Sequence, residues 1–234
     1  YPRPLHCPGL PDSFRRMLQP GGIPFSSKTG DSNEFVSTRE YREGDRLRDV
    51  HWTSSARAGK LIIKEYIEES FTRVGIFLDT SRDRFEKRDS LEARISLCAG
   101  IAGYLNDGKY LFDLYLSERT SPHVEAAQGM NSLGRLLQRL ALVEGAPQVD
   151  LDLSRSHILR DAACLSMLVL LLKDWDAARS GFTEQLRKAG LKVRVIIVSS
   201  QPTALKVPDG YVSVHSPQEL KEKREAPEAG ARGA

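Results

Sequence analysis

Val74-Gly75-Ile76-Phe77-Leu78-Asp79 decides the fold. Five apolar residues end abruptly on a carboxylate, the pattern of a strand covered on both faces rather than one side. A helix is expected to follow. Asp89 and Glu92 have capping-box spacing, and Leu91, Ile95, Cys98, Ala102 and Leu105 recur at alternating intervals of four and three before Gly108, as an amphipathic helix lying on a sheet requires.

The same alternation continues downstream. Leu111–Leu116 reads as the next strand, His123–Ala127 as a short edge partner, and Leu133, Leu136, Leu137 and Leu140 as one face of a second helix. Leu165–Leu172 is nearly all apolar and stops at Lys173-Asp174, which predicts a central strand. Phe182, Leu186 and Ala189 mark a helix ended by Gly190, and the β-branched run Val193–Val198 the strand after it. Tyr211–His215 gives a last strand, with Ser216, Pro217 and Glu219 at the N-cap, N1 and N3 positions of a terminal helix. The expected fold class is therefore α/β, a mostly parallel sheet of Rossmann type with helices on both faces.

Upstream of Arg73 the rhythm differs. Residues 1–30 are rich in Pro and Gly with one amphipathic stretch, Phe14–Leu18, and read as irregular lead-in. Phe35–Tyr41 and Lys60–Ile67 resemble short strands, with turn signals at Gly44-Asp45 and Ala58-Gly59, so a small β-hairpin appendage is expected. The resulting division is residues 1–72 for the irregular and hairpin segment, 73–220 for the α/β domain, and 221–234 for a flexible tail of Ala, Gly, Pro and charge.

The 34 basic and 31 acidic side chains are interspersed and leave a formal net charge of +3, which gives little long-range pull on a polyanion. Arg39, Arg42, Arg46, Arg48, Arg57, Lys60 and Lys64 do lie close together, but Glu40, Glu43, Asp45, Asp49 and Glu65 alternate with them. Nucleic-acid binding is thus a weaker reading than a self-paired solvated surface. Three cysteines, Cys7, Cys98 and Cys164, have no CxxC spacing; the latter two lie in apolar surroundings, and a reducing compartment is expected. No apolar run approaches the roughly 18 to 20 residues of a membrane span.

Chemistry is sparse. The sequence has no GxSxG elbow, no GxxxxGK[ST] loop and no GxGxxG turn, and its five histidines are scattered without ligand spacing. In an open α/β sheet, ligands sit beyond the carboxyl ends of the strands, where Asp79 and Asp174 both fall. With the Ser81 hydroxyl they would offer hard oxygen ligands to a divalent cation that keeps several waters. Equally, both aspartates would serve as polar strand terminators, with Ser81 capping a loop. Asp79 also invites comparison with an aspartyl nucleophile, as in a metal-dependent phosphatase or hydrolase, but that chemistry wants a second aspartate where this chain has Ser81.

Asp79-Thr80-Ser81 after an apolar strand resembles the start of the metal-ion-dependent adhesion motif of von Willebrand factor A domains, Asp-x-Ser-x-Ser. The chain departs from it at Asp83, where the second serine would stand, and Gln128-Gly129-Met130-Asn131 before the helix at Leu133 supplies no threonine; Asp174 matches the later aspartate. The resemblance implies a degenerate Mg²⁺ site at Asp79, Ser81, Asp83 and Asp174.

A longer match lies upstream. Arg39-Glu40-Tyr41-Arg42-Glu43-Gly44-Asp45, Arg48-Asp49-Val50-His51-Trp52, Ser55-Ala56-Arg57 and Leu61-Ile62-Ile63-Lys64-Glu65 resemble the signature of the bacterial family called domain of unknown function 58. That family pairs the signature with a von Willebrand factor A-like domain, and the resemblance covers about Phe35 to Val198. The missing catalytic motifs favour a protein-interaction or assembly module over an enzyme, and the resemblance implies that it works with a MoxR-type AAA+ ATPase in the maturation or assembly of other proteins. The cysteine pattern favours a cytoplasmic location, and because members of that family often carry upstream transmembrane helices, the resemblance leaves open that this is the cytosolic part of a longer membrane-anchored protein. Read from the residues alone, Arg39, Tyr41, Asp45, Arg48, His51, Trp52 and Arg57 form either a domain junction or a partner-binding patch. Planar arginine forks and a large aromatic suit both, and the junction is favoured.

Overall fold

The run that opened the sequence reading is an interior strand. In a computed structural model that describes residues 2–5, 35–66, 72–82, 88–108, 110–118, 123–126, 130–147 and 149–225, the chain forms two compact units, Phe25–Phe71 and the remainder. The lead-in from 6 to 34 with Cys7 and Phe14–Leu18, the loop with Asp83, and the tail from 226 lie outside the described residues.

In the smaller unit, β1 (Phe35–Glu40) pairs antiparallel with β2 (Ile62–Tyr66). Their connection is more than a turn. It carries a 3₁₀ turn at Leu47–Asp49 and a two-turn helix, α1 (Trp52–Ala58), that the sequence reading did not anticipate. Ser55 explains why this segment holds together: its Oγ accepts from Ile62 N at 2.9 Å and donates to His51 O at 3.0 Å. Gly59 ends α1 at φ 64°, a left-handed conformation that glycine adopts without steric cost.

The larger unit is a six-stranded sheet. Its strands are β3 (Arg73–Leu78), β4 (Leu111–Leu116), β5 (His123–Ala126), β6 (Met167–Leu172), β7 (Val193–Val198) and β8 (Val212–His215), in the order β5-β4-β3-β6-β7-β8. All neighbours are parallel except β4 and β5. The expected α/β Rossmann-like class is therefore observed, with five parallel strands and one antiparallel edge.

Alternation along β3 separates two cores. Val74, Ile76 and Leu78 join one apolar cluster with α2 (Arg88–Asp107), α3 (Met130–Ala141) and α6 (Pro217–Glu225); Phe77 joins the other with α4 (Leu151–Asp161) and α5 (Ala177–Lys188). Phe77 and Phe182 meet there with ring centroids 5.1 Å apart. Every residue of β6 is buried, as its apolar run predicts. The N-terminal stretch Pro2–Leu5 belongs to this unit as well: Leu5 is buried, and its N–H donates to Ser96 O of α2 at 2.9 Å. Gly100 makes room for it, since a Cβ there would stand 1.9 Å from Leu5 O.

Some details depart from expectation. Helix α4 was not foreseen, and Cys164, read as lying in apolar surroundings, is exposed, whereas Cys98 is buried. The terminal helix α6 runs to Glu225, past the boundary at 220, and Ser216 Oγ caps it by accepting from Glu219 N at 3.1 Å. Among the described residues, no helix is long and apolar enough to cross a membrane.

Candidate functional site

Strand order places the crevice. From β3 the chain moves to β4 on one side and then returns to β6 on the other, so β3 and β6 diverge at their carboxyl ends, where open α/β sheets bind ligands. Asp79 follows β3 at this point, and Lys173-Asp174 follows β6. The Asp79 N–H still pairs with Leu171 O at 2.9 Å, which holds the carboxylate at the sheet's rim.

Asp79 is fully buried and both its oxygens are engaged. Oδ1 accepts from Ser81 N at 2.9 Å; Oδ2 accepts from Arg179 Nε at 2.7 Å and from Lys173 N at 3.3 Å. The same guanidinium donates from Nη2 to Ser81 Oγ at 2.6 Å and from Nη1 to Asp176 Oδ2. Asp176 is also the N-cap of α5, its Oδ1 accepting from Arg179 N at 2.8 Å. One arginine in the first turn of α5 thus ties together Asp79, Ser81 and the start of its own helix. Thr80 is held from the other side, its N–H donating to Ser117 Oγ at 2.8 Å.

A second arginine lies beneath. Arg94, on α2, is fully buried and donates from Nη2 to Ser81 O at 2.8 Å. Burial alone would push the Asp79 carboxyl upward. The charges of Arg179 and Arg94, with hydrogen bonds from Arg179 and Ser81, outweigh that and hold it below the ordinary carboxylate value. Arg179 shows the converse: burial disfavours its charge, but Asp79 and Asp176 more than restore it, so its pKa is raised.

Of the residues read as metal ligands, the structure brings Asp79 and Ser81 together around Arg179. Asp174 faces its own loops, Oδ1 accepting from Trp175 N at 2.7 Å and Ala204 N at 3.0 Å. Asp83 lies outside the described residues. Among the described residues no three His, Cys, Asp or Glu side chains gather as metal ligands would. In the described residues the donor set is taken up by a guanidinium, Asp79 Oδ2 and Ser81 Oγ both accepting from Arg179.

The upstream motif divides into two sets. Arg39 forks onto Asp45 with Nη1 to Oδ2 at 2.7 Å and Nη2 to Oδ1 at 2.8 Å, and Asp45 Oδ2 also accepts from Arg42 N at 2.7 Å. These bonds, the Arg39 side chain's first, hold the Asp45 carboxyl down to about 2. Tyr41 contributes its N–H to Leu61 O at 3.0 Å. His51 caps α1, Nδ1 accepting from Ser54 N at 3.1 Å. This first set builds the small unit.

The second set is largely exposed. Trp52 is 67% exposed, and Leu47, five residues before it in the chain, is 63% exposed. Arg48 makes only a loose 3.8 Å pair with Asp49, and Arg57 is exposed at the end of α1. An aromatic, a leucine and two arginines are thus exposed side chains of one short segment whose Val50 and Ser55 are buried.

Arg94 and Arg179 escaped the sequence reading although both carried a signal. Arg94 is three residues after Leu91 and four before Cys98, and Arg179 is three before Phe182. A charge on an apolar stripe must be satisfied inside, so it points to a buried polar partner.

The sequence model of the family described as "Protein of unknown function DUF58" matches residues 37–226. No curated protein matches the chain. A solved structure of proximal thread matrix protein 1 from the mussel byssus, in its second crystal form, is similar over 65% of this chain and 46% of that one, with 10% sequence identity and a TM-score of 0.48. The chain spans less than half of that structure's length.

Proposed function

Because the chain belongs to the family described as protein of unknown function DUF58, we propose that it is a non-catalytic interaction module that binds its partner through the exposed segment Leu47–Arg57. The observation that carries this reading is the exposure of Trp52 and Leu47 beside Arg48 and Arg57. Aromatic and arginine side chains concentrate binding energy at interfaces, and a Trp that is mostly solvent-facing contributes little to the small unit's own packing. The partner proposed is a MoxR-type AAA+ ATPase, with the larger unit as a von Willebrand factor A-like scaffold and the pair acting in assembly of other proteins.

The geometry around Asp79 favours this over hydrolysis. A nucleophilic carboxylate needs a free, approachable oxygen, and each oxygen of Asp79 is buried and hydrogen-bonded. Affinity capture from the native host tests the proposal. Wild-type protein is expected to retain the ATPase and Trp52→Ala to lose it; equal retention by both would remove the Leu47–Arg57 surface from the account.

A further inference from the structure

A metal site built on Asp79 and Ser81 requires their oxygens as ligands. Mg²⁺ binds oxygen at about 2.0–2.1 Å in a near-octahedral shell. In this crevice the same two oxygens lie 2.7 Å from Arg179 Nε and 2.6 Å from Arg179 Nη2. A cation bound to both oxygens would compete with the guanidinium for them. Displacement is opposed from a third direction, since Nη1 is bonded to Asp176, which also caps α5.

The charge balance agrees. Arg179 and Arg94 offset Asp79 and Asp176, so a divalent ion would enter a site whose carboxylates are already neutralised, against two guanidinium groups that proteins do not deprotonate. Asp174, which would complete the ligand set, spends Oδ1 on two backbone N–H groups.

We propose that Arg179 is the resident cation of this crevice, filling the position between Asp79 and Ser81 that a divalent ion would take, so that the unit folds and works without metal. The role follows from the crevice alone and does not rest on the partner proposed above. It also makes Arg179 the residue that excludes metal: with it removed, Asp79 and Ser81 become available oxygens on a partly preformed loop.

The test combines Mn²⁺ titration of ¹⁵N-labelled protein with thermal unfolding in Mg²⁺. In wild type, the Ser81 and Lys173 amide signals stay sharp as Mn²⁺ is added, and Mg²⁺ leaves the melting temperature unmoved. In Arg179→Ala, Mn²⁺ broadens both signals and Mg²⁺ raises the melting temperature, as any ligand that binds only the folded state must. Arg179→Gln, which keeps an amide donor near Asp79, provides the same readout if the alanine variant does not fold. Saturable broadening at Ser81 in wild type, lost in Asp79→Asn, would overturn the proposal. So would folded Arg179 variants that remain blind to both ions.

Discussion

Replacing Arg179 by methionine keeps the stem's bulk and helix propensity while deleting the charge. Asp79 then stays buried with only the Ser81 N–H at 2.9 Å, the Lys173 N–H at 3.3 Å and the charge of Arg94 to stabilise it. Breaking a buried ion pair from one side costs about 3–5 kcal/mol. The surviving donors place this case near the lower end, about 3 kcal/mol, equivalent to two charge-assisted hydrogen bonds. The pH dependence is more telling than the size. In wild type the Asp79 carboxyl titrates below its unfolded value of about 3.9, so its contribution to stability is present above that pH and lost as pH falls through the folded value. In the variant the charge and hydrogen bonds of Arg179 no longer oppose burial, so the folded pKa moves upward from its wild-type value. The variant's penalty is then full near neutral pH and fades on acidification. Urea unfolding followed by Trp175, buried beside the crevice, measures both, in a Trp52→Phe background that leaves it the sole tryptophan. A difference below about 1 kcal/mol near neutral pH, or one that stays constant or grows toward acid, would refute the buried ionised pair.

Three further outcomes are expected. Gly100→Ala should drive Pro2–Leu5 off α2, because the new Cβ would meet Leu5 O at 1.9 Å; faster hydrogen exchange at the Leu5 amide and a loss of up to about 3 kcal/mol would mark it, and unchanged exchange would contradict it. An NMR titration should place the Asp45 carboxyl at about 2, against an ordinary 3.8, so that its support of the small unit persists above 3.8 and is lost as pH falls through about 2. Arg39→Gln should move that titration back upward. Trp52→Ala should leave urea stability within about 0.5 kcal/mol, since the side chain is mostly exposed; a larger loss would assign Trp52 to packing instead.

The strands were legible where burial on both faces leaves a compositional mark. Val74–Leu78 is an apolar run, and Leu165–Leu172 and Val193–Val198 are apolar but for Ser166 and Arg194; β3, β6 and β7 fall within these stretches or extend one residue beyond. Helix α4 left a fainter trace because its buried positions are Ser154 and Ile158, too few and too polar to form a stripe, although Asp150 supplies an N-cap. In the crevice, Asp79 was readable from its strand end, but Asp176 was not, and Asp174 turns to its own loops instead. The cationic half was not readable, because Arg179 is a hundred residues from Asp79 in sequence and meets it only through the β3–β6 pairing. Likewise, the family-like motif from Arg39 to Arg57 named important residues without dividing them, since only packing separates the Arg39–Asp45 fork from the exposed Trp52.

On the function proposed above, a partner engages Leu47–Arg57 rather than the crevice at Asp79. Hydrogen exchange by mass spectrometry on the chain, free and bound to the captured ATPase, tests this most directly. The account predicts protection confined to peptides spanning Leu47–Arg57, with those covering Asp79–Arg82 and Lys173–Arg179 unchanged. Protection of the crevice peptides with Leu47–Arg57 unaffected would contradict it.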